Sequence, residues 1–178
     1  SAATMFFMVT GEGNPARIVS AAELAPTDYI LKPFNTDTMV ERIARALDKR
    51  NVFMPVYQLM EAGNQREAID ACIDGMRLHP RYAIDFLRLR AELHMFLGEA
   101  AEAEPIYQQL IEAKAIAWAR LGLAKTLFMR GRLGEAREIL ESLVDTNKSF
   151  VDAYDWLAKT HAAAGDLARL RGRPWREW

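Results

Sequence analysis

A single cysteine, Cys72, stands among 178 residues. It excludes an internal disulfide framework and fits a reducing compartment. Neither charge sign is in excess: 23 Lys and Arg against 24 Asp and Glu leave a formal net charge of −1. That balance argues against a dedicated nucleic-acid binder, which carries a basic surplus. No apolar run approaches the roughly 18 residues of a membrane span. No basic segment precedes the first apolar run, because the first basic residue is Arg17. A secretory signal is therefore not expected, and a cytoplasmic protein is. A Gly-rich phosphate loop, an HExxH helix and a Ser/His/Asp arrangement are all missing, so catalysis is not expected. His94 and His161 occupy equivalent places two repeats apart, but no third ligand follows at a matching spacing; they read as packing residues, not as a metal site. The chain starts at Ser1 rather than at a methionine, and is expected to be a piece of something longer.

What is abundant is alanine. It fills 28 positions, 20 of them after residue 50. Alanine has the best helix propensity and lets helices approach closely, so the C-terminal part reads as tightly packed helices. The first fifty residues read differently. Met5 to Val9 and Tyr29 to Leu31 are short apolar runs ended by Thr10-Gly11 and Lys32-Pro33, the pattern of buried parallel strands. A helical stretch lies between them, roughly Ala16 to Leu24, with Pro15 near its first turn. Asn35, Thr36 and Asp37 then form a capping cluster, and Met39, Val40, Ile43 and Leu47 recur at helical spacing. The order strand, helix, strand, helix is half of an α/β fold. Pro55 fits a helix's first turn but not its interior, so a new helix is expected to begin near Phe53.

From residue 50 onward the chain repeats itself. Gly63, Gly98, Gly131 and Gly165 are spaced by 35, 33 and 34 residues. Ala68, Ala103 and Ala136 each follow a glycine by five positions, and Val56, Ala91, Ala124 and Ala158 each precede one by seven. Each unit reads as two helices, A and B, with small residues at their crossing and glycine in the turn. The A helices are expected near 53–62, 83–97, 116–130 and 150–164, and the B helices near 66–78, 100–113 and 134–146. Pro80 stops the first B helix. This pattern closely resembles the tetratricopeptide (TPR) repeat, whose period is about 34 residues. The departures are Arg90, where a leucine-like residue is usual, and Ala115 and Lys148, where a proline is usual. The resemblance implies a mostly α chain: a right-handed α-solenoid of antiparallel helix pairs, about three and a half units over 51–166. A basic and aromatic tail, 167–178, follows.

The segment Asp28-Tyr29-Ile30-Leu31-Lys32-Pro33-Phe34 is similar to the last strand of a response-regulator receiver domain. Met5 to Thr10 is similar to the strand before it. By position, the resemblance implies a phosphoryl switch of Thr10, Tyr29 and Lys32, with Pro33 following a cis peptide bond. Residues 1–50 would then be the C-terminal β-α-β-α half of a receiver-like α/β domain. Ala25-Pro26 departs from the family's usual Gly-Ala. The family's metal-binding acidic pair and phosphoacceptor Asp have no counterpart in this sequence. The switch is thus expected only in an intact receiver, Mg²⁺ belongs to that parent, and no cofactor is expected here. Two strands leave an unpaired edge and an apolar face, so self-association through this half is expected.

The TPR resemblance further implies a protein or peptide partner held on the A helices. Spacing places Phe53, Tyr57, Met60 and Glu61 on that face, then Asp85, Arg88, Glu92, Met95 and Phe96. Trp118, Leu121, Lys125, Phe128 and Met129 follow, and Asp152, Asp155 and Lys159 complete it. Methionines and aromatics suit an adaptable apolar site. Mixed charge argues against a clamp built of Lys and Arg alone. The chain is thus expected to be a two-component response regulator that acts through TPR-mediated binding. The alternative is a TPR scaffold on which the receiver half serves only for dimerisation.

Overall fold

The structure, a computed structural model, describes residues 5–11, 28–113 and 117–165. The chain divides into two compact units, Ser1–Ala71 and Cys72–Trp178.

The first unit opens with two strands, β1 (Phe7–Thr10) and β2 (Asp28–Leu31). They pair in parallel, with Phe7 opposite Asp28 and Thr10 opposite Leu31. Ile30 is buried, whereas Phe6, Val9 and Leu31 are exposed. The expectation of two buried strands is corrected here. The sheet has two strands among the described residues, too few to cover both of its faces. The helix expected at Ala16–Leu24, the Ala25-Pro26 step, Ala115 and the tail 167–178 lie outside the described residues.

Helix α1 (Thr36–Glu61) follows, capped by Asn35, whose side chain accepts a 2.7 Å hydrogen bond from the Thr38 N–H. It corrects a second expectation. One helix, not two, runs past residue 50, and Pro55 sits inside it. A proline removes one intrahelical bond and crowds the carbonyl four residues back. Here Pro55 is exposed while Phe53 and Val56 beside it are buried. Their burial holds the helix together across the lost bond.

Helix α2 (Gln65–Leu78) spans the division between the units. The second unit continues with a 3₁₀ turn (Pro80–Tyr82), then α3 (Ala83–Phe96), α4 (Ala100–Ala113), α5 (Ala117–Met129), α6 (Leu133–Thr146) and α7 (Val151–Ala163). Apart from α1, every helix of the repeats lies within one residue of its expected bounds. The result is a TPR-like solenoid of helix pairs.

The four repeat glycines carry the turns. Their φ angles are +80°, +77°, +74° and +77° at Gly63, Gly98, Gly131 and Gly165. That left-handed region costs a side chain roughly 1 kcal/mol or more, and glycine little. After α3, the Gly98 and Glu99 N–H groups donate to the carbonyls of Met95 and His94; after α5, Gly131 and Arg132 do the same to Phe128 and Leu127. Each pair closes a helix end that would otherwise leave carbonyls unsatisfied.

Small residues set the packing distance. Ala68, Ala91, Ala103, Ala124 and Ala136 are wholly buried. Ala158, at the equivalent place in α7, is only half-buried, because no B helix packs on α7 among the described residues. One core cluster joins Leu87, Ala91, Ala103, Ile106, Tyr107, Leu110 and Ala119, and a second joins Leu121, Ala124, Leu140, Leu143, Val144, Ala153 and Leu157. Two further glycines act as sockets. A methyl group on Gly75 would fall within 3.0 Å of the Phe86 ring, and one on Gly122 within 3.0 Å of the Tyr107 ring. In each case an aromatic ring occupies the space that a Cβ would need.

A candidate partner-binding face on the A helices

Helices α3, α5 and α7 are successive A helices of the second unit; two aromatic–cation contacts join them, and a third lies within α7. The Arg88 guanidinium of α3 lies 4.7 Å from the ring centroid of Trp118 on α5. The Lys125 ammonium of α5 lies 5.3 Å from the ring of Trp156 on α7, and Lys159 approaches the same ring to 4.6 Å. The Phe128 ring meets Trp156 edge to face, at 5.4 Å and 80°. Trp118 and Trp156 are half-buried against the two core clusters, and a cation over such a ring is worth about 0.5–1 kcal/mol or somewhat more, enough to favour one placement of the long side chains.

Charge is distributed unevenly along this face. Arg88 is exposed, and its Nε donates to Glu92 Oε1 at 2.8 Å, one turn further along α3. Both charges reach the Tyr107 hydroxyl. Its pKa is pushed up to about 12, first by burial and then by the Glu92 carboxylate, with Arg88 opposing. Lys125 and Lys159 make no ion pair among the described residues. At the turn end of the face, Phe96 and Met129 are 74% and 46% exposed. Met95 is half-buried against the first core cluster, and its sulfur accepts the Thr126 hydroxyl at 3.1 Å.

Of the residues chosen by spacing, Arg88, Glu92, Met95, Phe96, Trp118, Lys125, Phe128, Met129 and Lys159 lie on α3, α5 and α7. Leu121 is buried in the second cluster, a core residue rather than a surface one. Tyr57 and Met60 belong to α1 of the first unit and are half-buried there; Phe53 is fully buried, its ring 6.0 Å from that of Tyr57 and tilted by 30°. Trp156 escaped the sequence reading, because spacing picked Asp152, Asp155 and Lys159 on α7. A signal was available: Trp156 precedes Lys159 by three residues, which puts the two side chains on one helical face.

At the other candidate site, Thr10 ends β1 opposite Leu31. Lys32 follows directly and is exposed, so both residues leave the same end of the parallel pair. The Lys32–Pro33 peptide bond is cis, as the receiver resemblance implied. Pro33, Phe34, Asn35 and Arg42 border an open hollow at this end. Arg42 Nη1 donates to both carboxylate oxygens of Asp28 at 3.0 Å.

The buried polar residues serve packing. His94 Nδ1 lies 2.9 Å from Glu99 Oε2 across the turn after α3, and His161 is buried in α7. Burial pushes the Cys72 thiol up to about 12, with nearby Arg90 opposing. Arg90 is half-buried where a leucine is usual, and its Nε has no hydrogen-bond partner. Glu104 is buried and accepts from Arg132 Nη1 at 2.7 Å and from Arg130, tying α4 to the turn before α6. No group of three or more His, Cys, Asp or Glu among the described residues could hold a metal ion. No helix among the described residues is long and apolar enough to cross a membrane.

Residues 85–109 and 117–142 match the tetratricopeptide repeat family. Among solved structures, the first TPR domain of the human RPAP3 protein is 22% identical with a TM-score of 0.56, covering 65% of this chain and 91% of its own. The first TPR of Spaghetti (RPAP3), bound to the HSP90 peptide SRMEEVD, is also 22% identical, with a TM-score of 0.56 and coverage of 64% and 90%. MamA from Desulfovibrio magneticus RS-1 is 15% identical, with a TM-score of 0.53 and coverage of 88% and 91%. At these identities the likeness is one of fold. No curated protein matches the chain. The two matched segments thus read as TPR repeats, a class of module that suggests protein–protein interaction.

Proposed function

We propose that this protein is a non-enzymatic signalling adaptor that captures a protein or peptide segment on the face formed by α3, α5 and α7. The observation that carries the reading is the row of indoles at Trp118 and Trp156 with Arg88, Lys125 and Lys159 laid across them. Rigid rings with pinned cations lose little side-chain entropy when a ligand arrives. A TPR domain of similar fold is bound to a peptide in its solved structure, which supports a peptide-like ligand here. The finer reading, a cytoplasmic response regulator, rests on the resemblance of residues 1–50 to half of a receiver domain. The parallel pairing of β1 and β2 and the shared strand end of Thr10 and Lys32 are consistent with it. Thr10, Tyr29 and Lys32 would act as a switch only together with acidic residues that this sequence does not contain.

The test is selection of binding peptides from a random display library against the intact chain, followed by Trp118→Ala and the double change Arg88→Glu with Lys125→Glu. Selected peptides should lose most of their affinity for both variants while the far-UV circular dichroism is unchanged. Undiminished binding would assign the ligand to another surface. The exposed Phe6, Val9 and Leu31 favour a companion reading, self-association through the first unit. Light scattering at micromolar concentration should give the mass of a dimer or larger, and a clean monomer removes that part.

A further inference from the structure

The joints between repeats are not built alike. Glu104 on α4 is buried, and its carboxylate accepts from Arg132 Nη1 at 2.7 Å, from Arg130 Nη1 and from Gln108 Nε2 at 3.4 Å. Arg130 and Arg132 flank Gly131 in the turn between α5 and α6, so this one carboxylate fastens the third repeat to the second. Burial at this place does not call for a charge. Ile69 follows Gly63 by six residues, as Glu104 follows Gly98, and is buried in α2. The turn after α3 carries the same backbone hydrogen bonds as the turn after α5, but Leu97 and Glu99 stand there in the places of Arg130 and Arg132.

We propose that Glu104, Arg130 and Arg132 form a releasable latch: closed, it holds the α5–α6 turn against α4, and open, it frees that turn as a local unit while both repeats stay folded. Three features argue for it. Desolvation of a buried carboxylate offsets much of its attraction to the guanidinium groups, so closure is favoured by a narrow margin. The Arg130 and Arg132 side chains are 40% and 38% exposed, so they reach water without unfolding a helix. Arg132 is already shared with Glu135, whose carboxylate oxygens accept from its Nε at 2.7 Å and its Nη2 at 2.5 Å, and it keeps that partner when Glu104 lets go. An isoleucine at this place would have no such second arrangement. Arg88 of α3 and Trp118 of α5 lie across the same joint, so release lets these two helices of the candidate face change their spacing. The latch stands or falls independently of what that face binds.

The test is hydrogen exchange of the full chain, ¹⁵N-labelled and followed amide by amide in dilute urea. The Gly131 and Arg132 N–H groups, each bonded at 2.9 Å to the carbonyls of Phe128 and Leu127, report the latch. The Gly98 and Glu99 N–H groups, bonded to Met95 and His94, are the matched turn without it. A local opening exposes little surface, so exchange at Gly131 and Arg132 should be insensitive to dilute urea, whereas exchange at Leu140 should quicken with it. Glu104→Gln should speed exchange at Gly131 and Arg132 about tenfold or more, the scale of a lost charged hydrogen bond, and leave Gly98 and Glu99 unchanged. Arg130→Gln, at an exposed residue, should speed the same two amides about threefold, and it carries the test if Glu104→Gln does not fold. Unchanged rates at Gly131 and Arg132 in both variants would overturn the latch. Rates that rise with urea in step with Leu140 in the parent chain would mean that the turn opens only with its repeat, and would overturn release. An equal gain at all four turn amides would mean general destabilisation, and would overturn the local joint.

Discussion

Alanine in place of Gly122 adds one methyl group at a point where the Tyr107 ring already sits. The added carbon would come within 3.0 Å of Cε1, Cζ and Cδ1 of that ring. Two effects compete. Glycine inside a helix is worse than alanine by about 1 kcal/mol, which favours the substitution. Overpacking a filled core costs about 1–3 kcal/mol, which opposes it. Tyr107 is buried and wedged among Ile106, Leu110 and Ala119 in its cluster, so the ring cannot swing aside. The upper part of the overpacking range therefore applies, and the net loss should be about 1–2 kcal/mol. For a chain of this size that lowers Tm by roughly 2–8 °C. Gly134 is the internal control. It lies in the first turn of α6, and a methyl there meets nothing within 4 Å. Gly134→Ala should therefore stabilise by about 0.5–1 kcal/mol. Urea unfolding followed by circular dichroism separates the two signs. A Tyr107→Leu background should abolish the penalty of Gly122→Ala, with a coupling of about 1–2 kcal/mol. A Gly122→Ala protein as stable as the parent would refute the ring-in-socket account.

Further outcomes follow from the same packing. Leu140→Ala, at a wholly buried position in the second cluster, should cost about 2–5 kcal/mol and lower the urea midpoint; a loss under 1 kcal/mol would mean that α6 and α7 are loosely packed. Cys72 and Tyr107 both have raised pKa values in the folded chain, each to about 12. Their neutral forms are favoured by burial, so this contribution is complete below their ordinary values near 9 and 10 and is lost as pH climbs toward 12. Stability measured in urea should thus fall through that window, and less steeply in Cys72→Ala. The Cys72 thiol should resist iodoacetamide at pH 8 until urea unfolds the chain; rapid native labelling would contradict its burial. Gly98→Ala forces a side chain into φ +77° and should cost about 1 kcal/mol, as thermal denaturation can check.

The repeat was legible because it is enforced by backbone chemistry. A positive φ demands glycine, so Gly63, Gly98, Gly131 and Gly165 mark their turns in the sequence as plainly as in the fold. The alanines at the helix crossings are legible for a similar reason, since small residues recur where the helices are buried against each other. Pro55 misled because proline's rule is local, while burial of Phe53 and Val56 acts on the helix as a whole. Strand burial was overread because an apolar run tells what a strand can bury, not what covers it. On the candidate face, spacing assigns a residue to a side of its helix but not to a depth. Leu121 is therefore core, whereas Lys125 of the same helix lies against Trp156. The role of Trp156 depends on a neighbour from another helix, which periodicity along one helix does not encode.

Helix α1 imposes an arithmetic on the first unit. At 26 residues it is about 39 Å long, and each residue contributes about 100° of rotation with its 1.5 Å of rise. One residue inserted between the Asn35 cap and the Gly63 turn would rotate the rest of α1, Phe53 and Val56 included, by more than a quarter circle relative to its cap. Seven residues would restore the angle to within about 20°. The distance from cap to turn is thus quantised. Homologous chains should differ in this segment by whole helical steps or not at all.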